Sequence, residues 1–411
     1  MYPFAISILS VFVCNLPVRS VCTWYTARME FLPFFLILMV GVVFSSLFTK
    51  FHLPWVLALI VSGIFIGPQG IGLLELNPTI EFLGQIGLIF LMFMAGLETK
   101  LSSFREFGKN VATISFLNAA IPFSIGFAIS YAFGYSNTAS FLLGIIFMSS
   151  SIAVIIPTLD SLGILHHKLG RSIVSTTMIE DIASLALLSV LLQSVDPITS
   201  LPLPSFYGLL LFVLVALRYG LPRIRELIPH RRDERDLFES EVRIVFALLL
   251  GTVVVFEFLG LHPIIAGFFA GLVLSDSVKS EILLEKLRTL SYGIFVPIFF
   301  AVIGLTTDIS VFFDGSTIWG LVLAILIGSV GAKFGSGWLA ARITGWNNRD
   351  ALTFGIATTP QLSTTLAVVF TAVELELLQS EMATAMVMLS IVTTFIAPLA
   401  LRHLYQPTTN R

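Results

Sequence analysis

The stretch Met178-Ile179-Glu180-Asp181-Ile182 sets two adjacent carboxylates inside an apolar run from about Gly170 to Gln193. The nearest basic residue in sequence is Arg171, at the mouth of the run and more than two helical turns away. Insertion scales put Asp at the centre of a membrane helix at roughly 2.5–3.5 kcal/mol. A residue that costly lines an internal cavity, pairs with a partner, or carries an ion or a proton.

The composition around this pair is that of a membrane protein. Of 411 residues, 56% are hydrophobic and only 12% are charged, against about 25% charged in soluble domains. Apolar runs near span length recur along the chain, which predicts an all-α polytopic membrane protein. The net charge of -2 offers nothing to nucleic acid. Cys14 and Cys22 lie in an apolar N-terminal stretch and read as isolated thiols ahead of a disulfide. Residues 1–30 contain an apolar segment too short to span, broken by Pro17 and Arg19, and are left unassigned. The chain stops soon after its last apolar run, so only a short tail, 403–411, is expected beyond the membrane region.

Thirteen spans can be drawn, at about 31–48, 53–68, 84–98, 111–133, 139–158, 169–193, 205–221, 242–258, 261–275, 289–308, 316–341, 350–372 and 382–402. Their connections alternate in charge. One set carries Lys50, Lys100, Arg105, Lys109, Lys168, Arg171, the Arg218–Arg243 cluster, Lys279, Lys286, Arg288, Arg342, Arg349 and Arg402. The other set, near 69–83, 134–138, 194–204, 259–260, 309–315 and 373–381, contains no Lys or Arg. By the positive-inside rule the N-terminal region lies outside and the C-terminus lies in the cytoplasm.

Two spans carry polar interruptions. Met148-Ser149-Ser150-Ser151-Ile152-Ala153 puts three serines in mid-span. They read equally well as small residues for helix packing or as an unwound segment that binds a cation. In the second half, Ala357-Thr358-Thr359-Pro360-Gln361-Leu362-Ser363-Thr364-Thr365 surrounds a proline that breaks a helix. Interrupted segments in corresponding halves predict inverted repeats with a binding site where they meet. Lys333, in Gly331-Ala332-Lys333-Phe334-Gly335, lies about 12 Å of helix from Arg342. Pairing with Glu180 or Asp181 is favoured there over snorkelling to the interface. The neighbouring carboxylates project about 100° apart on a helix, so one can face Lys333 while the other faces an ion path. Competition between a cation and a proton at such a site yields coupled exchange without nucleotide. No cofactor is expected, and neither a zinc-ligand spacing nor a phosphate-binding GxxxxGK[ST] loop occurs. Glu98 reads as an exposed interfacial cap, Asp308 as interfacial, and His166 and His167 as solvated.

Several stretches together resemble the monovalent cation:proton antiporters of the CPA2 branch in the sodium/hydrogen exchanger superfamily. They are Val61-Ser62-Gly63-Ile64-Phe65-Ile66-Gly67-Pro68, Leu83-Gly84 through Ala95-Gly96-Leu97-Glu98, Ile265-Ala266-Gly267-Phe268-Phe269-Ala270-Gly271-Leu272, and Val296-Pro297-Ile298-Phe299-Phe300 with Gly304. The resemblance covers 31–402. It implies a homodimer moving by an elevator-type mechanism, with a core around 84–193 and 289–402 and scaffold elements around 31–68 and 205–275. It implies crossed helices carrying Ser150, Ser151, Thr358, Thr359, Pro360, Gln361 and Ser363. Asp181 matches the family's cation- and proton-binding aspartate, a transient monovalent-metal ligand. Glu180 matches the preceding position, and Lys333 the lysine that pairs with it. Glu at 180 and the Gln361-Leu362-Ser363 reading depart from the usual pattern. The implied activity is Na+/H+ exchange across the cell membrane, a prokaryotic plasma membrane being favoured. K+ or Li+ as cargo, K+/H+ efflux without a regulatory domain, and an organic-anion transporter or channel on a related fold are the alternatives.

Overall fold

The computed structural model describes residues 31–50, 54–99, 108–195, 208, 212, 215–216, 219–220, 240–259, 261–275, 278, 280–310 and 316–405. The described elements are helical. They are α1 (Phe31–Lys50), α2 (Trp55–Ile66), α3 (Pro78–Glu98), α4 (Lys109–Ala132), α5 (Asn137–Met148), α6 (Ile152–Ser161), α7 (Lys168–Val195), α8 (Ser240–Phe258), α9 (Pro263–Leu274), α10 (Glu281–Leu290), α11 (Val296–Thr306), α12 (Ser316–Ile343), α13 (Asn348–Ala357), α14 (Ser363–Glu374) and α15 (Ser380–Tyr405). A π-turn over Ser291–Phe295 joins α10 to α11. Among the described residues, eight helical segments, α5 and α6 together counting as one and α10 through α11 as another, are long and apolar enough to cross a membrane. Each expected span overlaps one of these helices or a pair of them, except that 205–221 lies mostly, and 1–30 entirely, outside the described residues.

Two spans are each a pair of helices. The fifth divides into α5 and α6 around Ser149–Ser151, and the twelfth into α13 and α14 around Thr358–Leu362. The serines therefore occupy unwound chain between the two helices. The tenth span begins earlier than its apolar stretch. Ser280 accepts from the Leu283 N–H and starts α10, where only Leu283 and Leu287 are buried. A one-sided helix of this kind escapes a reading by apolar runs alone.

The chain forms two compact units. The smaller comprises residues to Gly84 with Pro297–Thr307. In it, α2 and α11 cross backbone to backbone: a Cβ on Gly63 would collide with the Ala301 carbonyl, and one on Gly304 with the Ile60 carbonyl. Trp55 meets Phe300 edge-on at 6.1 Å between centroids. On α1, Phe31, Phe35, Met39 and Val42 are exposed along one side, the pattern of a lipid- or partner-facing helix in a bilayer.

The larger unit comprises Gln85–Val296 and Asp308–Arg411. Here α3 and α9 cross in the same manner, with Gly96 against the Phe268 carbonyl and Gly271 against the Phe93 carbonyl. A tight apolar cluster from α4, α6, α7, α12 and α13 includes Ile114, Ile155, Leu159, Ile173, Ala340 and Phe354. It clamps the two interrupted pairs to the long helices. On α7, the buried residues Thr176, Thr177, Glu180, Asp181 and Ser184 share one inward face, because i and i+4 positions stack. Glu98 is not the exposed cap expected of it. α10 brings Arg288 Nη2 within 3.2 Å of its carboxylate.

The glycine crossings lead to a specific expectation. Gly96→Ala places a methyl group against a carbonyl that belongs to a packed helix and cannot swing away. Overpacking of this kind costs about 1–3 kcal/mol. Thermal unfolding of the detergent-solubilised protein should show a lowered midpoint, whereas Gly331→Ala, where a Cβ meets nothing within 4 Å, should leave it unchanged.

Candidate functional site

Four helices and both breaks converge on Glu180. Lys333 Nζ, from α12, lies 2.7 Å from Glu180 Oε2, and both side chains are fully buried. Lys333 also donates to the Met148 carbonyl at 2.7 Å and the Asn118 carbonyl at 3.3 Å. An ammonium has three hydrogens, and three oxygens receive them. The Met148 carbonyl closes α5, so the cation also sits at the partially negative end of that half-helix.

Glu180 is saturated from the other side as well. Asn118 Nδ2, on α4, donates to Oε1 at 2.7 Å. Ser336, one turn along α12 from Lys333, holds Asn118 in place by donating to its Oδ1 at 2.7 Å. Ser150 Oγ lies 2.8 Å from Glu180 Oε2 and 2.8 Å from the Thr358 carbonyl. A hydroxyl carries one hydrogen, so Ser150 serves one of these acceptors at a time. It stands between the acidic residue and the second broken helix.

The breaks are held by exchanged hydrogen bonds. The Ser151 N–H donates to the Pro360 carbonyl at 2.7 Å. Ser149 and Thr365 hydroxyls meet at 3.1 Å, and Ser151 and Ser363 hydroxyls at 3.5 Å. Gln361 Nε2 donates to the Phe147 carbonyl at 3.2 Å and to Ser329 Oγ at 3.0 Å, and its backbone N–H to Thr393 Oγ1 at 3.2 Å. Thr359 is also buried here, donating back into α13 at Gly355. Several of the peptide groups released where the helices stop are thereby paired, as a membrane interior requires.

Asp181 contrasts with its neighbour. It is 2% exposed, lies beside the Thr364 side chain and the Ser150 backbone, and makes no ion pair among the described residues. Its Oδ1 is buried without a hydrogen-bond partner. A buried carboxylate oxygen left in that state is costly, and a proton or a small cation relieves the cost. The surrounding donor set of hydroxyls, carbonyls and one carboxylate is composed of hard oxygen ligands, suited to a cation of that class.

Of the residues singled out in the sequence, Lys333 and Ser150 meet Glu180 directly, and Thr358 meets Ser150. Ser151, Pro360 and Ser363 meet at the crossing, and Asp181 adjoins it through Ser150 and Thr364. Asn118 was missed. Its signal was available, since it is an amide in mid-span in Ser115-Phe116-Leu117-Asn118-Ala119, but nothing in the spacing connects it to Glu180. Removing one partner of a buried ion pair costs about 3–5 kcal/mol. Lys333→Met is therefore expected to lower the thermal midpoint sharply. Adding Glu180→Gln, which removes the stranded charge, is expected to recover much of the loss, giving a non-additive double-mutant cycle.

With this geometry in hand, comparison with known proteins is informative. A family model described as sodium/hydrogen exchanger, transmembrane, matches residues 34–406. The "Probable Na(+)/H(+) antiporter 3" of Methanocaldococcus jannaschii is 32% identical over 388 residues, 92% of this chain and 97% of that protein. The "Na(+)/H(+) antiporter" of Enterococcus hirae is 26% identical, over 91% of this chain and 98% of its own. Among solved structures, the sodium proton antiporter MjNhaP1 from M. jannaschii at pH 8 superposes with a TM-score of 0.69 at 17% identity, covering 90% of this chain and 96% of that one. That likeness shows a shared fold. Because the family model runs through every helix from α1 to α15, and a relative aligns over nearly its entire length, the chain belongs to the sodium/hydrogen exchanger family.

Proposed function

We propose that the protein is a secondary active antiporter exchanging a monovalent cation, Na+ first among candidates, for protons across a cell membrane. One observation carries the reading. Asp181 Oδ1 is buried and unpartnered, beside a Glu180 whose charge Lys333 already balances at 2.7 Å. The second carboxylate is thus the group left for cargo. A proton and a cation cannot both occupy it, so occupancy by one requires release of the other, which is the condition for exchange.

The related proteins described as Na(+)/H(+) antiporters support sodium as cargo. K+ or Li+ in its place is the second reading, since Gln361 and its hydroxyl neighbours present oxygen atoms without a fixed charge. The Glu180–Asp181 pair with Lys333 supports assignment to the CPA2 branch. We assign 84–193 and 289–402 to a moving core, and 31–68 and 205–275 to a scaffold that pairs two copies. The exposed apolar side of α1 supports the scaffold role. The alternation of basic and non-basic loops supports a cytoplasmic C-terminus in a plasma membrane.

Proteoliposomes with an entrapped pH-sensitive dye test the proposal. Addition of Na+ to vesicles acidified inside should release internal protons, and Asp181→Asn should reduce that response to the level of protein-free vesicles. Full exchange by Asp181→Asn would reject the assignment of cargo to Asp181. Offering Na+, K+ and Li+ in turn identifies the cation, and imposing a membrane potential shows whether net charge moves.

A further inference from the structure

On the side whose loops carry no Lys or Arg, side chains from three helices of the larger unit meet. Glu374 is the last residue of α14, His262 caps the start of α9, and Gln85 lies two turns into α3. Gln85 Nε2 donates to Glu374 Oε1 at 2.6 Å. His262 Nε2 stands 3.8 Å from Glu374 Oε2. One carboxylate thus faces both α3 and α9. A glutamate at a helix C-terminus opposes the partial negative charge there, so these cross-helix neighbours, and not local propensity, account for it.

Both groups that face Glu374 are oriented. His262 Nδ1 accepts from the Ile264 N–H at 3.4 Å. A ring nitrogen that accepts carries no hydrogen, so the hydrogen of the imidazole is on Nε2, the nitrogen facing Glu374. The Gln85 amide holds one carboxylate oxygen and leaves the other toward His262. The contact is still weak, since the two side chains are 15% and 25% exposed at a separation beyond hydrogen-bond length. In this it differs from Lys333 and Glu180, which are fully buried at 2.7 Å and cannot part without stranding a charge. Glu374 is joined to the crossing by α14 itself, whose 12 residues span about 18 Å. Ser363 through Ala372 are all buried. The first turn of α14 gives Ser363 and Thr365 to the crossing and places Thr364 beside Asp181.

We propose that Glu374 and His262 form the outer latch of the transport cycle. The latch is shut in this structure, joining α14 to α9, and it parts when the Asp181 site opens to the outside. Gln85 is a positioning residue that acts through Glu374. The inference rests on the antiport reading and on its assignment of α9 to the scaffold and α14 to the core, between which the latch closes. A contact broken once in every cycle has to open at little cost, and this one is built to do so. Weakening it raises the population of outward-open protein, and with it the apparent affinity for cation offered from outside.

Covalent bridging tests the latch, in a parent protein carrying Cys14→Ser and Cys22→Ser. His262→Cys with Glu374→Cys is treated in proteoliposomes with a short, cleavable bis-methanethiosulfonate, and Na+/H+ exchange is followed by the entrapped dye before and after. Mass spectrometry of the linked peptides scores the bridge. Bridging is expected to stop exchange, and dithiothreitol to restore it. Full exchange by the bridged protein, failure of the two cysteines to bridge, or an unbridged pair that is inactive beside an active parent would overturn the proposal. Absence of exchange in the parent itself would remove the antiport reading, and the latch with it. Radiosodium uptake into right-side-out vesicles supplies a second measurement. Glu374→Ala and Gln85→Ala are each expected to lower the external Na+ concentration that half-saturates uptake, and the double variant to lower it no further than Glu374→Ala does. A fall in maximal rate with half-saturation unmoved, or additive effects of the two changes, would reject the roles given to these residues.

Discussion

The buried ion pair between Lys333 and Glu180 is the constraint on which the rest of the larger unit depends. Two charges withdrawn from water lose several kcal/mol of solvation each, and proximity alone does not restore it. The pair persists because every remaining valence is met. Lys333 places its hydrogens on Glu180 and the carbonyls of Met148 and Asn118. Glu180 receives Asn118 from α4 and lies against Ser150 from the first break. A single ionic contact thereby holds α4, α7, α12 and the end of α5 in register. It also fixes the interruptions, since the Met148 carbonyl is free to accept from Lys333 only because α5 stops there.

The crossing itself follows from the same rule applied to the backbone. Helices that stop inside a membrane expose peptide groups which lipid cannot satisfy. Here each break satisfies the other. The Ser151 N–H meets the Pro360 carbonyl, Gln361 reaches back to Phe147 and to Ser329 on α12, and two hydroxyl pairs join the breaks. Asp181 adjoins all of this and is incompletely satisfied. It lies beside Thr364 and the Ser150 backbone and keeps one oxygen unpartnered, as Gln361 does with its Oε1. A proton or cation at such an oxygen replaces a missing interaction instead of competing with an existing one.

The segments through which the chain resembles its family have a physical meaning apart from transport. Gly63, Gly96, Gly271 and Gly304 are the positions where helix backbones touch within each unit, and a Cβ at any of them would strike a carbonyl oxygen. Lipid tails are as apolar as leucine, so hydrophobicity gives membrane helices little reason to associate, and close backbone approach supplies dispersion contacts in its place. Motifs of small residues are thus legible as packing constraints. The chemistry resides in other stretches, where hydroxyls, an amide and charges stand in otherwise apolar runs.

Much of this was determined by the sequence alone. Apolar runs of span length, the alternation of basic loops, and the serine and proline interruptions are local properties of the chain, and the bilayer converts each into structure with few alternatives. The expense of Glu180, Asp181 and Lys333 in such runs requires each to find a partner or a ligand inside the protein. Tertiary structure alone decided which carboxylate Lys333 would face, since two neighbours 100° apart on a helix are equally near in sequence. It recruited Asn118 from 62 residues away and gave Glu98 an ionic partner 190 residues distant. It left the oxygen without a partner on Asp181 and not on Glu180. Pairing is a property of the space between helices, and no periodicity along one helix records what its neighbours present across that space.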